Sequence, residues 1–275
     1  MTDTARIAVT ALPVVPGRTE TWRLLVPQTL VQTRRLLRRW VRDPLTTMQS
    51  LVFPALLLLV LNAVLGKQIS AFAGAGALYG SVPMVALVGV MSGSVAGAIT
   101  LGRERDQGLL ARLWVLPVHR ASGLSARILA EAVRILVCTL VLFGVGLLLG
   151  FRFEQGALAG LALFGVPLLY GLGFATMVTA VAVFSAKTAL VEAVSLGSSL
   201  LMFFSTGFAP LHAYPRWAQP IVAHQPMTQA IDAMRGLSLG GPVRAPLLAT
   251  VAWSVGAMVV FAVPAAVGYR RASRT

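Results

Sequence analysis

The sequence is poor in charge, in lysine and in cysteine. Asp, Glu, Lys and Arg make up only 12% of its 275 residues, with nine acidic side chains in all, while 57% are hydrophobic. That balance cannot coat a soluble globule of this size with polar groups, and a mean hydropathy of +0.80 places most of the chain in a bilayer. The single cysteine, Cys138, sits in an apolar run, which excludes a disulfide framework or a cysteine metal cluster and reads as a packing residue. The two lysines, Lys67 and Lys187, lack glycine-rich surroundings, and GxxxxGK[ST] is absent, so no Walker-type loop cradles nucleotide phosphates. The three histidines, His119, His212 and His224, have no metal-ligand spacing and fall in expected loops. With no histidine in a span to act as a base for Ser92 or Ser94, serine hydrolysis is set aside, and the small residues around them suit close helix packing. The expectation is a chain with no catalytic residue, no metal and no cofactor of its own.

What is present is apolar length and arginine. Residues 1–20 are polar, contain proline and lack the pattern of a secretory signal, so a flexible tail is expected. Over 21–44, Trp22, Leu25, Leu30, Leu36, Leu37 and Trp40 alternate with Arg23, Arg34, Arg35, Arg38 and Arg39, which predicts an amphipathic helix in the inner headgroup layer. Pro27 interrupts it and Asp43-Pro44 reads as a corner. A transmembrane region over 45–268 follows, with six apolar runs at 46–66, 81–101, 128–150, 157–184, 189–208 and 247–268. At about 1.5 Å per residue each is long enough to cross a core of about 30 Å. The fourth is overlong and contains Pro167, so a tilt or kink is expected. With both termini inside, seventeen Lys and Arg fall in inner segments and five in outer ones, which favours cytoplasmic termini. Residues 269–275 then form a basic cytoplasmic tail.

Two polar interruptions stand out. In the cytoplasmic one, 102–127, Leu109, Leu110, Leu113 and Trp114 share a helical face after the charged turn Arg103, Glu104, Arg105 and Asp106, and Pro117 ends that helix. A docking element and a helix resting on the bilayer are equally compatible with this pattern. In the outer one, 209–246, short apolar faces are punctuated by Pro215, Pro220 and Pro226, as in two short helices dipping into the outer leaflet or resting on its headgroups. Glu131, Arg134 and Glu192 lie near the inner ends of spans. Glu131 and Arg134, three residues apart, pair either as a gate or proton site or as an ion pair fixing helix ends; Glu192 has Lys187 five positions earlier. Met202, Phe203, Phe204 and Phe208, at the outer end of the fifth run, line a translocation path or face lipid.

The stretches RERDQGLLARLWVLPVHRASGLSARILA, FFSTGFAPLHAYPRWAQPIVAHQPMTQAIDAMRG and GYRRAS resemble the type 2 family of ABC-exporter permeases, in particular the DrrC-like members of actinobacterial and mycobacterial DrrABC systems. The family pattern is met by Glu104, Gly108-Leu109-Leu110, Arg112, Pro117 and Arg120, with Leu109 in place of the commoner threonine. The resemblance implies an all-α polytopic membrane protein with six transmembrane helices, an N-terminal amphipathic connecting helix, a coupling helix over 102–116 and an outer re-entrant helix pair over 209–246. It implies that Glu104, Gly108, Leu109, Leu110, Arg112, Leu113 and Trp114 contact an ATPase. The partners implied are a DrrA-like ATPase in two copies, which carries ATP and Mg, and a DrrB-like permease as the second membrane half. The cargo implied is a complex envelope lipid of the phthiocerol dimycocerosate or phenolic glycolipid type, or an anthracycline-like drug, moved outward across the plasma membrane. An ion-gradient-driven transporter using Glu131 or Glu192, and a non-transporting scaffold for lipid synthesis, are the alternatives.

Overall fold

The computed structural model describes residues 21–65, 78–109, 122–184 and 188–272. Among them the regular structure is helical, with no strand. The amphipathic segment forms one helix, α1 (Thr21–Arg42), with Pro27 tolerated near its start. The corner then appears as expected. Asp43 caps the next helix: its Oδ1 accepts from the backbone N–H groups of Leu45 and Thr46 at 3.2 and 3.3 Å, its Oδ2 accepts from Thr46 Oγ1 at 2.7 Å, and Pro44 takes the first helical position, where no N–H is needed.

The long helices are α2 (Pro44–Val64), α3 (Leu78–Asp106), α4 (Ser122–Leu148), α5 (Gly156–Phe184) and α9 (Arg244–Ala272). Each is long and apolar enough to cross a membrane. In α2 the backbone widens into a π turn over Met48–Val52, just before Pro54, whose ring would crowd a regular preceding turn. Pro167 is accommodated inside an uninterrupted α5.

The fifth apolar run departs from expectation. Its helix, α6 (Thr188–Phe203), has 16 residues, about 24 Å at about 1.5 Å each and short of a core of about 30 Å. It stops because Phe204–Phe208 carries a Ser-Thr-Gly turn, in which the N–H of Phe208 donates to the Ser205 carbonyl at 3.1 Å. The Tyr214 hydroxyl serves the helix end, donating toward the carbonyls of Phe203 at 2.8 Å and Ser205 at 3.0 Å. Five spans are therefore described, with α6 a shorter apolar helix beside them. The outer interruption does contain two short helices, α7 (Gln219–His224) and α8 (Pro226–Leu239), each opened by a proline in its first turn.

α3 is the centre of the fold and is buried along most of its length. Met84 and Leu87 on it join Leu142, Phe143, Phe151, Leu163, Phe174 and Ile231 in one apolar core. α8 lies in that core too, through Met227, Ile231 and Met234, so the second outer helix is packed into protein rather than lying on a surface. α9 crosses α5 closely: a Cβ on Gly173 would lie 3.0 Å from Ser254 backbone atoms, which only glycine avoids. The remaining faces of α2 and α9 are apolar and exposed, Phe53 by 60% and Val259 by 67%.

Candidate functional site

The end of the bundle where α3 meets α1 and α4 is held by a carboxylate. α3 continues past the apolar run through Gly102 to Asp106, which carries Glu104 against α1 and α4. The Glu104 side chain is only 4% exposed. One oxygen accepts from Arg39 Nη1 of α1 at 2.7 Å and the other pairs with Arg127 of α4. Glu104 therefore faces into the chain and joins three helices. Two neutral bonds repeat the α1–α4 connection: Gln32 Nε2 donates to Ser122 Oγ at 3.1 Å, and Thr33 Oγ1 to the Ala126 carbonyl at 3.3 Å. One residue further, Arg105 Nη1 donates to the Val183 carbonyl of α5 at 3.2 Å while its guanidinium also holds Asp106.

The stretch over 102–116 is described only to Leu109. Gly108 ends α3 at φ +68, the left-handed region open to glycine, and its N–H donates to the Arg105 carbonyl at 2.9 Å. Leu110, Arg112, Leu113 and Trp114 lie outside the described residues.

Above this clamp, within the bundle, Glu131 and Arg134 do pair along α4 as their spacing predicts. The pair also reaches α3. Ser94 Oγ donates to Glu131 Oε1 at 2.5 Å, and Arg134 Nη2 lies 3.2 Å from the same hydroxyl. Arg134 is buried, and its guanidinium passes so close to α3 that a Cβ on Gly93 would collide with Nη1. Gly93 and Ser94 thus do more than permit helix packing: one opens the space for a charge and the other binds it. Sequence reading missed this link because Ser94 and Arg134 are 40 positions apart. An unexplained polar serine beside a glycine in an apolar span was the available signal.

Glu131 and Arg134 form part of the wall of a cavity of about 320 Å³ between α1, α3, α4, α5 and α9. Leu37, Trp40, Ala98, Thr176 and Met258 represent its mainly apolar lining. Met202, Phe203, Phe204 and Phe208 do not line it. Met202 is buried in the core, whereas Phe203 and Phe204 are exposed, and Phe203 meets Phe208 edge-on at 5.7 Å. Glu192 is exposed on α6 and makes no salt bridge among the described residues; Lys187 lies outside them.

A second polar knot closes the opposite end of the bundle. Asp232 of α8 accepts from Thr206 Oγ1 at 2.8 Å, Arg235 Nη2 donates to the Thr206 carbonyl at 2.9 Å, and Gln225 Nε2 bonds the Phe204 carbonyl. The outer helices are thereby tied to the turn after α6. Burial pushes the Asp232 carboxyl above its usual range, with the Thr206 hydroxyl and Arg235 opposing that shift.

The helical arrangement and the polar stretches now meet comparison with known proteins. The profile of the ABC-2 type transporter family matches residues 27–239. The chain is 52% identical over 259 residues, 94% of each chain, to a protein of two Mycobacterium tuberculosis strains named as a probable doxorubicin resistance ABC transporter permease protein DrrC. It is 26% identical over 218 residues, covering 78% of this chain and 76% of the other, to the daunorubicin resistance ABC transporter permease protein DrrB1 of Streptomyces coeruleorubidus. The profile runs from within α1 to the end of α8 and includes both polar knots, and the chain belongs to the ABC-2 type transporter family, DrrC-like in sequence.

Proposed function

We propose that the chain is the transmembrane permease subunit of an ATP-driven exporter that moves a bulky lipophilic compound outward across the plasma membrane. The observation that carries this reading is the 52% identity, over 94% of both chains, to proteins named for doxorubicin resistance. A polycyclic drug of that kind or a complex envelope lipid is the cargo class. In this reading α6 completes a sixth crossing together with the turn that follows it, both termini are cytoplasmic, and 102–116 meets the ATPase. The chain itself binds no cofactor. ATP and Mg belong to a DrrA-like ATPase in two copies, and a DrrB-like permease forms the second membrane half.

The geometry supports a way for the motor to act. Residues 102–106 are a rigid extension of α3, and Glu104 ties that extension to α1 and α4. A push delivered near Leu109 moves three helices together, as rigid-body switching requires. Glu131 is engaged by Ser94 and by the buried Arg134, which suits a structural pair better than a carboxylate cycling with an ion gradient.

Purification of the tagged chain from native membranes tests the reading. An ATPase and a second polytopic permease are expected to co-purify, and inverted vesicles holding all three are expected to accumulate doxorubicin only with ATP. Accumulation driven by this chain alone, and abolished by an uncoupler, would overturn it.

A further inference from the structure

The inner cavity contains more hydrogen-bond donors than the chain satisfies. Arg134 Nη1 is buried with no hydrogen-bond partner, although its sister nitrogens bind Glu131 and Ser94. Gly93, which also lines the cavity, marks where that nitrogen lies. Trp40, on the α1 side of the same cavity, has its indole N–H equally buried and without an acceptor. A guanidinium N–H and an indole N–H can only donate, and a buried donor left unmade costs about 1–3 kcal/mol. Two such groups at one cavity call for an acceptor.

The surroundings define which acceptor. Arg134 already has Glu131 in contact, and Arg39 and Arg127, also in the wall, share Glu104. A second anion at Arg134 would meet the Glu131 carboxylate across the same guanidinium. A cationic ligand finds both Glu131 oxygens engaged. A neutral oxygen is left, on a molecule apolar enough for walls such as Leu37, Ala98 and Met258. The volume falls at the small end of the range of about 300–1,000 Å³ typical of small-molecule sites.

We propose that this cavity is a binding pocket for a lipophilic molecule bearing a neutral carbonyl, of ketone, quinone or ester type, that accepts from Arg134 Nη1 and the Trp40 indole. The pocket deepens the exporter reading by giving the cargo class a place in this single chain. The same chemistry also occurs in the ester groups of inner-leaflet lipids, so the source is to be distinguished by experiment.

The probe is a 4-alkylbenzophenone, a lipophilic ketone that crosslinks to nearby C–H bonds under near-ultraviolet light. It is applied without ATP to the full chain in nanodiscs of ether-linked phosphatidylcholine, and the labelled peptides are mapped by mass spectrometry. Labelling is expected on lining residues of α1, α3, α5 and α9. Gly97→Leu fills the cavity from α3, where a Cβ meets only Glu131 Oε2 at 3.8 Å, and is expected to cut labelling at least tenfold without removing any polar partner. The paired change Glu131→Gln with Arg134→Met, which leaves no buried charge behind, is expected to do the same. Suppression of wild-type labelling by excess doxorubicin supports the pocket with a solute as occupant. Suppression on changing to ester-linked lipid supports it with a membrane lipid as occupant. Labelling elsewhere, or labelling of these peptides that is indifferent to Gly97→Leu, overturns the proposal, including where water alone satisfies the two donors. The exporter reading stands or falls separately, on ATP-dependent accumulation by the whole complex. Wild-type labelling with no such accumulation leaves the pocket and removes the exporter.

Discussion

At the scale of single residues, small groups decide where charge can sit. Gly93→Ala places a methyl where Arg134 Nη1 now lies. Alanine favours a helix over glycine by about 0.5–1 kcal/mol, but overpacking costs about 1–3 kcal/mol and the guanidinium must leave its place beside Ser94. We expect a lower thermal midpoint for Gly93→Ala in detergent, whereas Gly102→Ala, where a Cβ meets nothing within 4 Å, is expected to leave the midpoint unchanged or raised. Asp43 makes a different local test. Asp43→Ala removes the cap of α2 and is expected to cost about 1 kcal/mol, with Asp43→Asn recovering most of it. The Thr46 hydroxyl, aided by two backbone N–H groups, holds the Asp43 carboxyl below its usual value of 3.8, and partial burial opposes them. A lowered folded value means stability present above pH 3.8 and lost as pH falls through the folded value. The difference in midpoint between wild type and Asp43→Asn is therefore expected to shrink on acidification into that window.

At the scale of elements, the three-helix joint at Glu104 matters most. Glu104→Ala leaves Arg127, 17% exposed, without its carboxylate, and Arg39, 50% exposed, free to turn to water. Breaking a buried pair costs about 3–5 kcal/mol, and the exposure of Arg39 puts this one near about 3 kcal/mol. The expected signature is faster proteolysis within α1 at unchanged membrane insertion, restored only in part by Glu104→Gln, whose single amide oxygen accepts from one arginine while its NH2 faces the other. Much of this level was legible in the sequence. The amphipathic α1, the Asp43-Pro44 corner, the Glu131–Arg134 pair and two short outer helices all follow from spacing within one element. The inward turn of Glu104 was not, because Arg39 is 65 positions upstream and a charged residue in a loop-like stretch looks solvated until the fold brings a partner. The end of α6 at Phe203 was hidden for another reason: Phe204, Gly207 and Phe208 keep the run apolar, and hydropathy does not distinguish a turn from a helix whose terminal carbonyls are met by a distant tyrosine.

At the scale of the whole molecule, apolar area remains uncovered. α2 and α9 show Leu56, Val60, Val259 and Val263 to their surroundings. In a bilayer such faces meet lipid or a second membrane chain, and neither requires a polar rim. Orientation is open to direct measurement. In a Cys138→Ala background, Arg216→Cys is expected to react with an impermeant maleimide on intact cells, and Arg38→Cys only after permeabilisation. The reverse pattern would invert the arginine census and move the Glu104 joint to the outer side.

That joint also dates the maturation of the chain. Arg39 leaves the ribosome long before Glu104, and Arg127 follows later still, so the carboxylate cannot be saturated until the start of α4 has been synthesised. Until then Glu104 can hold α1 through Arg39 alone, with its second oxygen unfilled. Completion of the joint is thus a timed event of biogenesis, in which the third helix is locked to the first two only after the start of α4 has been made.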